Sequence, residues 1–146
     1  MTQEPTQTFA AIRATLAGAR RALITSHRDC DGDSVGGQLA ALAFADSLGV
    51  ASLACHHGPV PDTLRGAPGW ERIIDISSDD ARVAGLTADF DVALVLECSD
   101  LDRLGEVRRL VGPATTLINI DHHADNTGFG SVVWQDPTAS SVCEML

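Results

Sequence analysis

Apolar residues recur along this chain with two rhythms, and their alternation predicts a layered domain. In residues 8–20, Phe9, Ile12, Leu16 and Ala19 fall three or four positions apart, which puts them on one face of a helix. Residues 22–25 are a short apolar run that ends abruptly in polar residues, as a parallel strand buried on both faces would. Residues 35–48 are rich in Ala and Leu with Gly49 just beyond, which predicts a helix with a glycine stop. Residues 50–55 predict the next strand, and Pro59, Pro61, Pro68 and Gly69 mark a loop-rich stretch after it. Three further apolar runs, 72–76, 92–96 and 116–120, are bounded by acidic residues or turn formers. Residues 129–134 predict a last strand and residues 139–146 the start of a helix. Strand and helix signals that alternate in this way predict βαβ units: an α/β fold, with a mostly parallel twisted sheet and helices on both faces.

Composition narrows the class. A chain of 146 residues accommodates one ordinary domain, and 45% apolar with 21% charged residues is the balance of a folded globular protein. The net charge is −10, with ten arginines and no lysine. That opposes binding of duplex DNA, which needs a basic surface, but it allows a small anionic substrate wherever cations sit between carboxylates and anion. Cys30, Cys55, Cys98 and Cys143 are widely spaced and form no C-x-x-C pair, so a reducing, cytoplasmic setting is expected rather than a disulfide framework. Residues 1–8 lack the basic start and apolar run of a signal peptide, and no stretch is long and apolar enough to predict a membrane partner. Residues 140–146 carry no glycine stop or polar tail, which predicts that the chain ends inside an element and that a C-terminal domain is missing.

In open parallel sheets, ligands collect beyond the carboxyl ends of the strands. Three predicted strands deliver carboxylates and imidazoles there: His27, Asp29, Asp31 and Asp33 after the first; Glu97, Asp100 and Asp102 after the run 92–96; Asp121, His122 and His123 after the run 116–120. Such ligands suit manganese, magnesium or zinc, and the lack of cysteine among them weighs against a purely structural zinc site. Any one cluster reads most simply as a solvated turn. Asp29–Asp33 also resembles a calcium loop, but its glycine is misplaced and no glutamate closes it. Three clusters, each directly after a buried strand, point instead to one site.

The stretch Ser26-His27-Arg28-Asp29-Cys30-Asp31-Gly32-Asp33-Ser34-Val35-Gly36-Gly37 resembles the first motif of the DHH phosphoesterase superfamily, H-x-x-P-D-G-D-(A/S)-x-G-(S/G). Asp121-His122-His123, preceded by Leu117-Ile118-Asn119-Ile120, matches the motif that names the superfamily, and residues 95–105 resemble the second motif. The likeness runs from about Phe9 to the end and is greatest to the oligoribonuclease/pAp-phosphatase branch, the nano-RNases. It implies a hydrolase of short single-stranded oligonucleotides or nucleotides that uses two Mn2+ ions, with Mg2+ or Co2+ as alternatives. His27 and Asp31 would hold one ion, Asp33 and His122 the other, and Glu97 would bridge them. Asp121 would orient a neighbouring imidazole, and His123 would face the substrate phosphate as hydrogen-bond donor or general acid. Arg103 matches a family arginine and would contact phosphate, with a structural salt bridge as the competing role. A homodimer is left open.

Two departures stand out: Glu97 replaces the usual aspartate, and Cys30 the usual proline. The family's fourth motif and its glycine- and histidine-rich C-terminal domain have no counterpart here. The resemblance therefore implies that residues 1–146 are the N-terminal part of a DHH domain, with little turnover of their own. A manganese pyrophosphatase or polyphosphatase of the same superfamily, and a non-catalytic module that binds metal or nucleotide, are the alternatives. The remaining expectations are structural. Gly36 and Gly37 serve either a phosphate or close packing, and Asp33 or Ser34 caps a helix. Cys30 is a buried, inert thiol and Asp29 faces solvent. His56 and His57 lie on the surface, while Trp70 and Trp134 pack.

Overall fold

The structure is a computed structural model that describes residues 5–146. Its six strands are β1 (Arg21–Thr25), β2 (Ala51–His56), β3 (Ile73–Asp75), β4 (Val92–Leu96), β5 (Thr116–Asp121) and β6 (Val132–Gln135). They form one sheet in the order β3-β2-β1-β4-β5-β6, and every neighbouring pair is parallel. The helices are α1 (Pro5–Ala17), α2 (Gly32–Ser47) and α3 (Val142–Met145). Each strand and helix lies within a few residues of its apolar run, because the run is what the sheet buries: all five residues of β4, Val-Ala-Leu-Val-Leu, are buried. Among the described residues no helix is long and apolar enough to cross a membrane.

Successive strand residues point to opposite faces, so the sheet has two cores. On one face Ile24, Leu94, Ile118 and Ile120 pack against Ile12 and Leu16 of α1, Leu42 of α2 and Val142 of α3. On the other, Leu23, Ala93 and Val95 pack against Leu104, Val107 and Leu110. The expectation of helices on both faces holds, with a different kind of helix on each. All three α-helices cover the first face, and the second is covered by the 3-10 segment Leu101–Leu110 and by loops. The cause is the three-residue spacing of Leu104, Val107 and Leu110, which aligns side chains at three residues per turn. Gly105 (φ 58°, ψ −134°) kinks that segment, and a Cβ there would meet His57 Nδ1 at 2.7 Å.

From β1 the chain winds outward to β2 and β3, then returns to place β4 on the other side of β1. The order reverses between β1 and β4, and in a doubly wound sheet such a reversal opens a crevice at the carboxyl ends of those strands. Residues 122–131 link β5 to the parallel β6 without a helix, and Asn126 and Thr127 in that link bond Cys98 O and Ser99 O just past β4.

Candidate metal centre

The three predicted clusters converge in this crevice. His27, two residues past β1, places Nε2 2.7 Å from Oε2 of Glu97, the residue that follows β4. His122 Nε2 and His123 Nε2, just past β5, lie 3.4 and 3.5 Å from Oε1 of the same carboxylate. Two sets of three ligand atoms, each set within 4.8 Å, therefore share one residue: His27, Asp31 and Glu97; Glu97, His122 and His123. Glu97 is buried and its backbone is left-handed (φ 52°), a conformation that glutamate rarely adopts. Strain of this kind costs on the order of 1–3 kcal/mol and persists where surrounding structure enforces it.

The ring nitrogens define what the pocket can hold. His27 Nδ1 is 2.6 Å from Arg28 O, His122 Nδ1 3.2 Å from Ala139 O, and His123 Nδ1 2.8 Å from Asp121 Oδ1. Carbonyls and carboxylates only accept, so each Nδ1 donates, and a ring that carries no second proton turns an Nε2 lone pair toward Glu97. Lone pairs aimed at a carboxylate repel unless a positive charge lies between. Ser34 Oγ, 2.9 Å from both His27 Nε2 and Asp31 Oδ1 and 3.5 Å from Glu97 Oε2, has a single proton to offer among them. Without a cation the remedy is a proton. The hydrogen bond to Glu97 raises the pKa of His27 above its ordinary value despite burial. Burial lowers that of His122, but Ala139 O, Glu97 and Asp33 together raise it further. A donor set of imidazole Nε2 and carboxylate oxygen, with Nδ1–H anchored behind it, fits divalent cations.

The acids divide into distinct groups. Asp31 is the N-cap of α2, its Oδ1 accepting from Ser34 N at 3.0 Å; this corrects the expectation of Asp33 or Ser34 in that role. Asp33 instead holds α3, accepting from Val142 N (2.7 Å) and Cys143 N (2.9 Å), while its Oδ2 lies 3.7 Å from His122 Nε2. Asp121 is fully buried behind His123. Asp29 is exposed, and Asp100 caps the 3-10 segment by accepting from Asp102 N. Arg103 makes no ion pair among the described residues, contrary to the salt bridge expected as its structural role. Its Nη1 reaches Ser99 Oγ at 3.3 Å, its carbonyl accepts from Arg28 N, and its charge lowers the proton affinity of His27.

His56 also departs from expectation. It is fully buried rather than on the surface, because β2 extends one residue further than its apolar run. Its Nδ1 accepts from Gln38 Nε2 (2.9 Å), its Nε2 faces Cys30 Sγ (3.2 Å), and desolvation pushes its pKa down to about 4. Burial pushes the Cys30 thiol up to about 11, which leaves it inert. His57 is half-buried and accepts from Glu106 N at 3.1 Å. A Cβ on Gly36 would lie 2.7 Å from Cys143 Sγ, and one on Gly37 3.5 Å from Leu96, so close packing accounts for both glycines. Trp70 and Trp134 pack partly buried against the core. Sequence reasoning passed over Ser34 as a partner of the ligands, and over Asn119 and Asn126. Ser34 carried a signal, since it stands three residues after Asp31 and completes a capping box.

No family model matches this chain. Among solved structures, an exopolyphosphatase-related protein from Bacteroides fragilis is similar, with a TM-score of 0.85 and 26% sequence identity. The match covers 96% of this chain and 42% of that protein, so the chain spans less than half of its length. The likeness shows a shared α/β fold and supports the superfamily that the motifs indicate.

Proposed function

We propose that this domain is the metal-binding part of a divalent-metal-dependent phosphoesterase that hydrolyses short oligonucleotides or pAp-type nucleotides, with Mn2+ as its metal. One observation carries the reading: three imidazole Nε2 atoms from two loops face one buried carboxylate, that of Glu97. His27, Asp31 and Glu97 would hold one ion, with Glu97 and His122 on the other, completed by Asp33 or His123. When bound, such a pair lowers the pKa of a shared water and neutralises charge on phosphoryl oxygens.

The chain's own residues supply the rest. Asp121 holds His123 at Nδ1, so any second proton on that ring sits at Nε2, available to a phosphate oxygen or leaving group. The His123 side chain is 36% exposed, against 5% for Glu97, which puts it on the solvent side of the site where substrate arrives. Arg103, free of any ion pair among the described residues, can offer its guanidinium to a phosphate. The net charge of −10 suits a short ligand neutralised locally better than an extended duplex.

A second reading, hydrolysis of pyrophosphate or polyphosphate at the same site, is favoured by the name of the similar protein from Bacteroides fragilis. Calorimetry with Mn2+ on residues 1–146, and hydrolysis of a labelled dinucleotide, pAp and polyphosphate by the whole gene product, separate the possibilities. Release of nucleoside monophosphates supports the first reading. Phosphate released only from phosphoanhydrides transfers the assignment to the second, and binding without turnover indicates a sensor module. Absence of Mn2+ binding ends every metal-based reading.

A further inference from the structure

The loop between β5 and β6 holds an asparagine that the chemistry above does not use. Asn126 is half-buried, and its Nδ2 lies 2.6 Å from Asp121 Oδ2, 2.8 Å from Asn119 Oδ1 and 3.3 Å from Cys98 O. All three partners accept, so the nitrogen faces them and the orientation of the amide is determined. At its other end Oδ1 accepts from Gly128 N at 2.7 Å. Asn119, fully buried, donates in turn to Val95 O (3.3 Å) and Cys98 O (3.1 Å). A continuous set of hydrogen bonds thus runs from the end of β4 through Asn119 and Asn126 to Asp121, and from Asp121 Oδ1 to His123 Nδ1.

We propose that Asn126 is the positioning residue that aims His123: by holding Asp121 Oδ2 it locks the carboxylate plane, and the locked carboxylate keeps the proton of His123 on Nδ1 and its Nε2 turned toward Glu97. Asp121 grips the ring through one oxygen only. A carboxylate bonded at one oxygen can rotate about its own axis, whereas one bonded at both cannot. Asp121 is fully buried, so water does not replace a lost amide donor at Oδ2 without rearrangement. Packing alone does not account for the arrangement, because a donor is spent on the one oxygen of Asp121 that the imidazole leaves open.

The inference rests on the metal-centre reading of the site, and its test separates the two. Histidine side-chain NMR on the 15N-labelled, metal-free protein reads the tautomer of each ring. Wild type is expected to show His123 as the Nδ1–H form. In Asn126→Ala, His123 should become a mixture of tautomers while His27 and His122, anchored on backbone carbonyls, stay as they are. Mn2+ affinity should fall by about 10–100-fold, the usual effect of losing a partner that orients a ligand. A purely structural role would lower the melting temperature and leave the His123 tautomer untouched; that result, with unchanged Mn2+ affinity, overturns the proposal. Should Asn126→Ala fail to fold, exchange of the Asn126 side-chain amide protons in the unaltered protein decides: protection supports the proposal and free exchange overturns it. If wild type binds no Mn2+, the functional reading fails, and the metal-free tautomers still decide the role of Asn126.

Discussion

Replacing Glu97 by Gln tests the centre most directly, because it removes a charge without changing shape. Both side chains share the left-handed backbone at this position, so strain is equal in the two proteins. In the metal-free state the Gln amide can donate to the His27 Nε2 lone pair that Glu97 Oε2 faces at 2.7 Å, and a buried carboxylate is gone. Metal-free stability should therefore stay level or rise. With Mn2+ the order reverses. At about 100 times Kd a cation that binds only the folded state stabilises wild type by about 2.7 kcal/mol. For a domain of this size that raises Tm by about 5–10 °C. Loss of the shared carboxylate should weaken binding by at least about 100-fold, roughly 2.8 kcal/mol. At the same Mn2+ concentration the variant then gains only about 0.4 kcal/mol, a shift of about 1 °C. Thermal denaturation of both proteins with Mn2+ and with EDTA measures all four values. A variant that keeps the full Mn2+-induced shift would refute the role of Glu97.

Two further perturbations probe the surroundings of the site. Gly36→Ala forces a Cβ to within 2.7 Å of Cys143 Sγ and should destabilise the domain by about 1–3 kcal/mol in urea denaturation. Adding Cys143→Ala should recover most of that loss, and additive effects would show that the two positions do not touch. His56 stays neutral in the fold, with its pKa depressed from 6.5 to about 4 by desolvation, while the unfolded chain takes up the proton near 6.5. Between those values the unfolded state binds more protons, so stability is fully present above about pH 6.5 and declines toward pH 4, by about 3 kcal/mol in all. His56→Leu should remove that component of the pH dependence, and identical pH slopes in variant and wild type would contradict a buried neutral imidazole.

The strands and the three ligand clusters are legible along the chain for a local reason. A strand buried on both faces must be apolar for its whole length, and the residues that follow it emerge at one edge of the sheet. Thus residues 22–25, 92–96 and 116–120 announce β1, β4 and β5, and His27, Glu97 and Asp121–His123 follow from them. The DHH-like motifs add roles to those positions. What they leave open is which acid serves the site and which serves the scaffold. Asp31 and Asp33 stand two residues apart in one motif, yet the first caps α2 and the second holds α3 from 109 residues away.

Local sequence therefore determined the elements, the class of fold and the residues able to bind metal, because burial and ligand chemistry are properties of short segments. Only the tertiary structure decided that all α-helices share one face, that His56 is buried, and that Asn126 reaches Asp121. It also decided that His27 and Glu97, 70 residues apart, meet at 2.7 Å. These outcomes depend on the strand order: with β4 inserted beside β1 rather than β3, distant loops are brought to a common edge, and no stretch of sequence by itself carries that choice.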